Sequence, residues 1–268
     1  MSDQQAKSVL RIQLLSDLHL DIHEDQPDIP ETDADMIILA GDIAEGIEGM
    51  LWAMQQADRL QKPVLYLSGN HEYYRGDAQT FDEKLRSLCA NHPFVRYLQM
   101  DSYDIGNYRI LGATLWTSFE LSGYADFETN MRYADNAMSD YRCIDWGRRT
   151  VTPADTRQLH VTHQQWIEDH LKQAEQDNKT AIVVTHHAPH PKSIAPQYQA
   201  SRLNPAFVND LSPLFGQTWS PAYWLHGHTH DDIHYRAEGT IVIASPRGYP
   251  EEREDNNPYP WDRVLIVN

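Results

Sequence analysis

Five short aliphatic runs, each stopping at glycine or at side chains that bind better than they pack, are spread along this chain of 268 residues. Residues 9–15 (VLRIQLL) lead into Ser16, Asp17, Leu18 and His19, and residues 36–40 (MIILA) lead into Gly41 and Asp42. Residues 64–67 lead through Ser68 into Gly69, Asn70, His71 and Glu72. Residues 181–185 meet His186 and His187, and residues 222–225 meet His226, Gly227, His228, Thr229 and His230. Runs of this length and bias fit strands buried on both faces, and the flanking glycines favour strands over short helices. Between them, residues 50–60 and 81–90 read as helices. Thr152 fits a helix N-cap, with Pro153 in the first turn and Asp155 at the capping-box position, so a helix is expected through Trp166 and Leu171. Strands alternating with helices predict an α/β fold, in which ligands collect beyond the carboxyl ends of the strands. All five polar clusters stand at such ends.

The hydrophobic share of 41% supports a substantial core, and one domain over residues 1–268 is the expectation. Residues 1–7 lack the apolar centre of a signal peptide, and no apolar run is long enough for a bilayer span. A cytoplasmic chain with no membrane partner is therefore expected. Cys89 and Cys143 are too few for a disulfide framework or a Cys-rich zinc site, and both are expected to be buried. The net charge of −17 opposes duplex nucleic acid as a partner. A small phosphate remains bindable if metal ions supply local positive charge. Of fourteen histidines, seven lie between His186 and His234, which points the same way. Two stretches break the rhythm. Residues 116–149 are rich in Tyr, Asp, Asn and Arg without a period, and read either as a cap or insertion reaching about residue 160 or as a surface excursion. Residues 247–263 form a charged, Pro-containing loop before a closing strand, VLIV; the pattern leaves open whether either stretch gates a site.

In order, the strand ends carry Asp17-x-His19, Gly41-Asp42, Gly69-Asn70-His71-Glu72, His186 and Gly227-His228-x-His230. Any one of these occurs by accident. The ordered set resembles the calcineurin-like metallophosphoesterase superfamily. That resemblance implies a four-layer α/β/β/α sandwich, with two central mixed β-sheets flanked by helices. It also implies hydrolysis of a small phosphomonoester or phosphodiester by a metal-bound hydroxide at a dinuclear site, without a phosphoenzyme. By the same resemblance, Asp17, His19, Asp42 and His230 hold one ion, while Asp42, Asn70, His186 and His228 hold the other, with Asp42 as the bridge. His71 is implied as the general acid, and Glu72 as the group orienting His71 or a ligand. The chemistry is consistent: carboxylate and imidazole suit Mn, Fe and Zn, and a carboxylate can bridge two ions where a neutral imidazole cannot. Two divalent ions outweigh the charges of Asp17 and Asp42, leaving a positive site in an acidic protein.

Nearby residues compete for these roles. His186 and His187 are adjacent, and aligning HHAP with the family's His-His-Pro-Pro favours His186; His187 and His190 are then candidates to line the pocket. His226 reads as structural. His160, His163 and His170 fall on the expected helix, where a solvated face explains them. His230-Asp231-Asp232-Ile233-His234 imitates the zincin spacing, but Asp stands where that chemistry needs Glu, and no helix is expected there. Arg75 and Arg247 could contact a substrate phosphate, but arginines beside acidic loops usually form surface ion pairs, and both are left outside the expected site. Phosphate-loop, serine-elbow and Cys-His signatures are absent from the sequence. The alternatives are a nuclease of the same superfamily, disfavoured by charge, and a non-catalytic metal-dependent binding protein, disfavoured by His71.

Overall fold

The computed structural model describes residues 9–253 and 258–268, and the five aliphatic runs are strands in it. Strands β1 (Leu10–Leu15), β2 (Met36–Ala40), β3 (Val64–Leu67) and β4 (Val95–Tyr97) alternate with helices α1 (Glu48–Leu60) and α2 (Phe81–Cys89). A hairpin of β5 (Asp101–Ile105) and β6 (Tyr108–Ala113) follows. Helices α3 (Phe127–Ala137) and α4 (Asp140–Cys143) and a ribbon of β7 (Asp145–Trp146) and β8 (Arg149–Thr150) come next. The long helix α5 (Pro153–Gln176) leads to β9 (Thr180–Thr185), β10 (Tyr223–His226), β11 (Ile233–Ala237), β12 (Thr240–Ala244) and the closing β13 (Val264–Val267).

Two mixed sheets result. The first has the order β13-β1-β2-β3-β4, parallel except for β13; the second runs β11-β12-β10-β9-β6-β5, with antiparallel strands at both edges. Period-two alternation along β2 shows why they stack. Met36, Ile38 and Ala40 meet Ile110, Ile182, Val184 and Leu225 of the second sheet, while Ile37 and Leu39 meet Met50, Ala53 and Ala57 of α1. On the far side, Leu111, Val183 and Trp224 pack against Ile167, Leu171 and Ala174 of α5. The layers are therefore α/β/β/α, and each fully buried Leu or Ile contributes about 1.5–3 kcal/mol.

Helix α5 starts as its sequence requires: Thr152 Oγ1 accepts from the Asp155 N–H, and Asp155 Oδ2 accepts from the Thr152 N–H at 2.8 Å. Its histidines depart from expectation. His160 and His163 are buried rather than solvated, because residues 115 and 116 turn with positive φ after β6 and their backbone needs partners. His160 Nδ1 donates to the Leu115 carbonyl, and His163 Nδ1 accepts from the Leu115 N–H, each at 3.2 Å. Burial pulls His160 down to about 4 and His163 down to about 3. His170 is half-buried and stacks on Trp166. Cys89 is buried but Cys143, at the end of α4, is only half-buried, contrary to expectation. No helix among the described residues is long and apolar enough to cross a membrane. The polar segment 1–7 and residues 254–257 of the 247–263 loop lie outside the described residues.

Candidate metal centre

The loops after β1, β2 and β10 carry Asp17, His19, Asp42, His228 and His230, and all five residues have positive φ, from 45° to 68°. Side chains rarely tolerate this backbone, and such residues persist where their surroundings hold them. Here the loops lace together: Asp17 N–H donates to the Gly41 carbonyl at 2.9 Å, and His19 N–H to the Asp42 carbonyl at 3.1 Å. Two glycines permit the close approach. A Cβ on Gly69 would stand 2.2 Å from Asp42 Oδ1, and one on Gly227 would stand 2.6 Å from Asp17 Oδ2. Of the two expected roles, orienting His71 or a ligand, the contacts of Glu72 suit the second, through backbone rather than an imidazole. Its buried carboxylate accepts from the backbone N–H groups of Asp42, Ile43 and Gly69 at 2.7–3.0 Å and from the Tyr66 hydroxyl at 2.9 Å. It ties two strand ends together. Burial, followed by the charge of Asp42, pushes Glu72 up to about 7.

The seven positions expected to hold metal come together. Donor atoms of Asp17, His19 and His230 lie within 4.8 Å of one another, as do those of Asp42, His186 and His228. His230 Nε2 is 3.2 Å from His19 Nε2 and 3.5 Å from Asp17 Oδ1. Asp42 Oδ2 stands between the groups, 3.3 Å from His186 Nε2 and 3.9 Å from His19 Nε2. Asn70 Oδ1 is 3.1 Å from His186 Nε2, and its orientation is set because Asn70 Nδ2 donates to Asp140 Oδ1 at 2.9 Å. His186 Nδ1 donates to the Ala40 carbonyl at 2.9 Å, and His230 Nδ1 to Glu252 Oε2 at 2.6 Å, so both rings turn Nε2 into the cluster. His71 joins from the same side. Its N–H donates to Asp42 Oδ1 at 2.9 Å, its ring stacks on Tyr74, and its Nε2 is 3.2 Å from the Tyr249 hydroxyl.

Electrostatics tests whether these residues fit a cation. Asp17 and Asp42 are buried, which alone would raise both carboxyls. Against that burial, His230 holds Asp17 low, and the charges of His186 and His71 hold Asp42 well below the carboxylate range. Reciprocally, against their own burial, Asp42 lifts His186 to about 9 and Asp17 with Glu252 lifts His230 to about 10. Two buried carboxylates thus draw in positive charge. Meanwhile Asp17 Oδ2, His19 Nδ1, His71 Nδ1 and His228 Nε2 are buried without any hydrogen-bond partner. Orphaned donor atoms around buried anions, in a mixed N/O set, fit divalent Mn, Fe or Zn.

The remaining candidates separate. His187 lies behind His228, ring centroids 4.2 Å apart, with Nδ1 donating to the Thr114 carbonyl; His190 Nδ1 accepts from the Lys192 N–H. Neither lines the cavity over the cluster. His226 bonds Ser193 inside the fold, as its structural reading requires. Arg75 pairs with Glu45 at the surface, whereas Arg247 is itself buried, bonded to Asp25 and packed over Trp261. His234 is exposed on strand β11, so the zincin-like spacing has no helix. Sequence reasoning missed Asp140, Tyr249 and Glu252. They sit in the two irregular stretches, where no periodic signal marks them.

Over the cluster lies a cavity of about 370 Å³, with Asp42, Asn70, His71, His228 and His230 at its floor. A carboxylate and imidazole cluster beyond the strand ends of an α/β/β/α sandwich is the arrangement expected of a metallophosphoesterase. The chain belongs to the calcineurin-like phosphoesterase family, whose sequence profile matches residues 10–232. It is 28% identical over 252 residues to an uncharacterized protein of Acanthamoeba polyphaga mimivirus, covering 87% of this chain and 86% of that one. Among solved structures, phosphopantetheinyl hydrolase from Mycobacterium tuberculosis superposes with a TM-score of 0.74 at 16% identity, covering 96% of this chain and 95% of that one. A putative 5′-nucleotidase from Staphylococcus aureus matches with a TM-score of 0.48 at 16% identity, over 90% of this chain and 49% of that one.

Proposed function

We propose that this chain hydrolyses a small phosphoester, a monoester or a diester, at the floor of the cavity. Asp17, His19, Asp42 and His230 would hold one divalent ion, and Asp42, Asn70, His186 and His228 a second, with Mn, Fe or Zn suited to the donors. The observation that carries this reading is the convergence of two buried carboxylates with buried donor atoms, Asp17 Oδ2 and His228 Nε2, that have no partner. When bound, such a pair of ions acidifies a water nucleophile and screens the charge of the phosphoryl group.

The chain's own residues supply the rest. Asp42 uses Oδ1 for the His71 N–H and keeps Oδ2 for the cluster, which supports a bridging role. His71 delivers a proton to the leaving oxygen from Nε2, the nitrogen that faces Tyr249. Tyr74 stacking and the backbone bond to Asp42 fix its ring beforehand. Residues 116–160 are read as a cap on a single domain, supported by Met138 and Asp140 at the cavity wall. The cavity's size and the charge of −17 support a small substrate over duplex nucleic acid. Two free cysteines support placement in the cytoplasm. The test is turnover of a chromogenic phosphomonoester and a bis-ester with Mn²⁺. At least one is expected to turn over, and the Asp42→Asn, His71→Ala double variant is expected at background. Turnover persisting in that variant overturns the mechanism.

A further inference from the structure

The wall of the cavity differs in chemistry from its floor. It is built by residues 137–140 at the end of α3 and by the loop 193–208, which present Met138, Ile194, Leu203, Phe207 and Val208 interspersed with smaller polar side chains such as Ser139 and Asn204. The charged groups around the cavity above the floor are all acids: Asp140 in this wall, and Asp231 and Glu252 beside it. Among the described residues, no Lys or Arg lines the cavity. The cations adjacent in sequence turn elsewhere. Lys192 Nζ lies over the Tyr235 ring, and the Arg253 guanidinium donates to the carbonyls of Pro246 and Arg247. Arg202 lines a separate surface hollow beside Gly123. Two of the acids meet no cation: Asp140 accepts from Asn70 and Tyr74, and Asp231 Oδ1 accepts from Gln197 while its Oδ2 is buried without a partner; Glu252 is paired with His230 of the floor.

A second anionic group on the substrate would therefore meet carboxylates and apolar carbon with no counter-charge, whereas an apolar chain would exclude water from Met138, Leu203 and Phe207. We propose that the alcohol portion of the substrate is apolar, carries no negative charge, and seats between residues 137–140 and residues 193–208. This rests on the phosphoesterase reading of the floor. It selects against nucleoside polyphosphates, bisphosphorylated sugars and acidic phosphopeptides, and in favour of the phosphoester of an uncharged, largely hydrocarbon alcohol.

The experiment compares hexyl phosphate with the bisphosphate of hexanediol on the Mn²⁺-loaded protein, so that leaving-group chemistry is the same and only the distal charge differs. Calorimetric binding of hexylphosphonate and of the corresponding bisphosphonate is measured in parallel. Hexyl phosphate is expected to be favoured by about tenfold or more in kcat/KM, with a similar ratio in phosphonate affinity. An Ile194→Arg variant is expected to narrow or invert both ratios. Equal or reversed preference in the wild type overturns the proposal while leaving hydrolysis intact. If neither monoester is hydrolysed, turnover of the chromogenic bis-ester decides the reading of the floor, and the phosphonate ratio still decides the chemistry of the wall: a preference for hexylphosphonate supports it, and parity overturns it.

Discussion

Floor and wall of the same cavity are built on opposite plans. The floor comes from the carboxyl ends of β1, β2, β3, β9 and β10, and nearly every side chain there is positioned through backbone hydrogen bonds and positive-φ turns. The wall comes from loops and short turns, is largely apolar, and draws its polar members from segments far away in sequence. The difference teaches a division of labour: the sheets fix where chemistry occurs, and the loops decide what fits beside it.

If that division holds, the largest effect belongs to His71, whose donor atom lies near those of His19 and Asp42 but which the proposed function leaves outside both metal sets. His71→Ala is expected to lower kcat by about 10²–10⁴-fold at unchanged metal content. A loss of metal along with the rate would instead make it a ligand. Next comes Glu252, a loop residue that braces His230 from the side. Glu252→Gln is expected to weaken Mn²⁺ affinity by about 10–100-fold in a metal titration, and unchanged affinity would confine metal binding to the strand ends. Glu72→Gln tests the lacing beneath the floor, since an amide NH₂ must then face one of the N–H groups of Asp42, Ile43 or Gly69. Urea unfolding is expected to show a loss of about 1–3 kcal/mol.

The smallest effect is on pH dependence, away from the cavity. His160 and His163 have folded values of about 4 and about 3, below their ordinary 6.5, so the unfolded chain binds more protons on acidification. Their contribution is complete above pH 6.5 and is lost as pH falls through about 4 and about 3. His163→Gln is expected to flatten the fall of Tm across that window, and an unchanged slope would remove His163 as its source.

The same division explains what the sequence makes legible. Aliphatic runs ending at glycine mark strands whatever the tertiary context, and the chemistry of cation binding narrows the residue types allowed after them. That is why Asp17, Asp42, Asn70 and His186 stand out before any coordinates. Strands β4, β5, β11 and β12 lack this signature; β5 is largely half-exposed and carries two aspartates. Asp140 supports Asn70 across 70 residues of chain, and Glu252 supports His230 from a loop with no period, so neither has a local signal. His160 and His163 mislead because polar residues on a helix usually face water, yet here they bond the buried backbone of Leu115. Glu72 is legible only in part: its partners are backbone amides, that of Asp42 among them, which composition does not display.

The strand ends are proposed to hold a pair of cations bridged by one carboxylate, Asp42. Metal analysis of Mn²⁺-loaded, buffer-exchanged protein and of Asp42→Asn tests this most directly. Two ions per chain are expected in the wild type and at most one in the variant. One ion or none in the wild type, or two retained in Asp42→Asn, would contradict it.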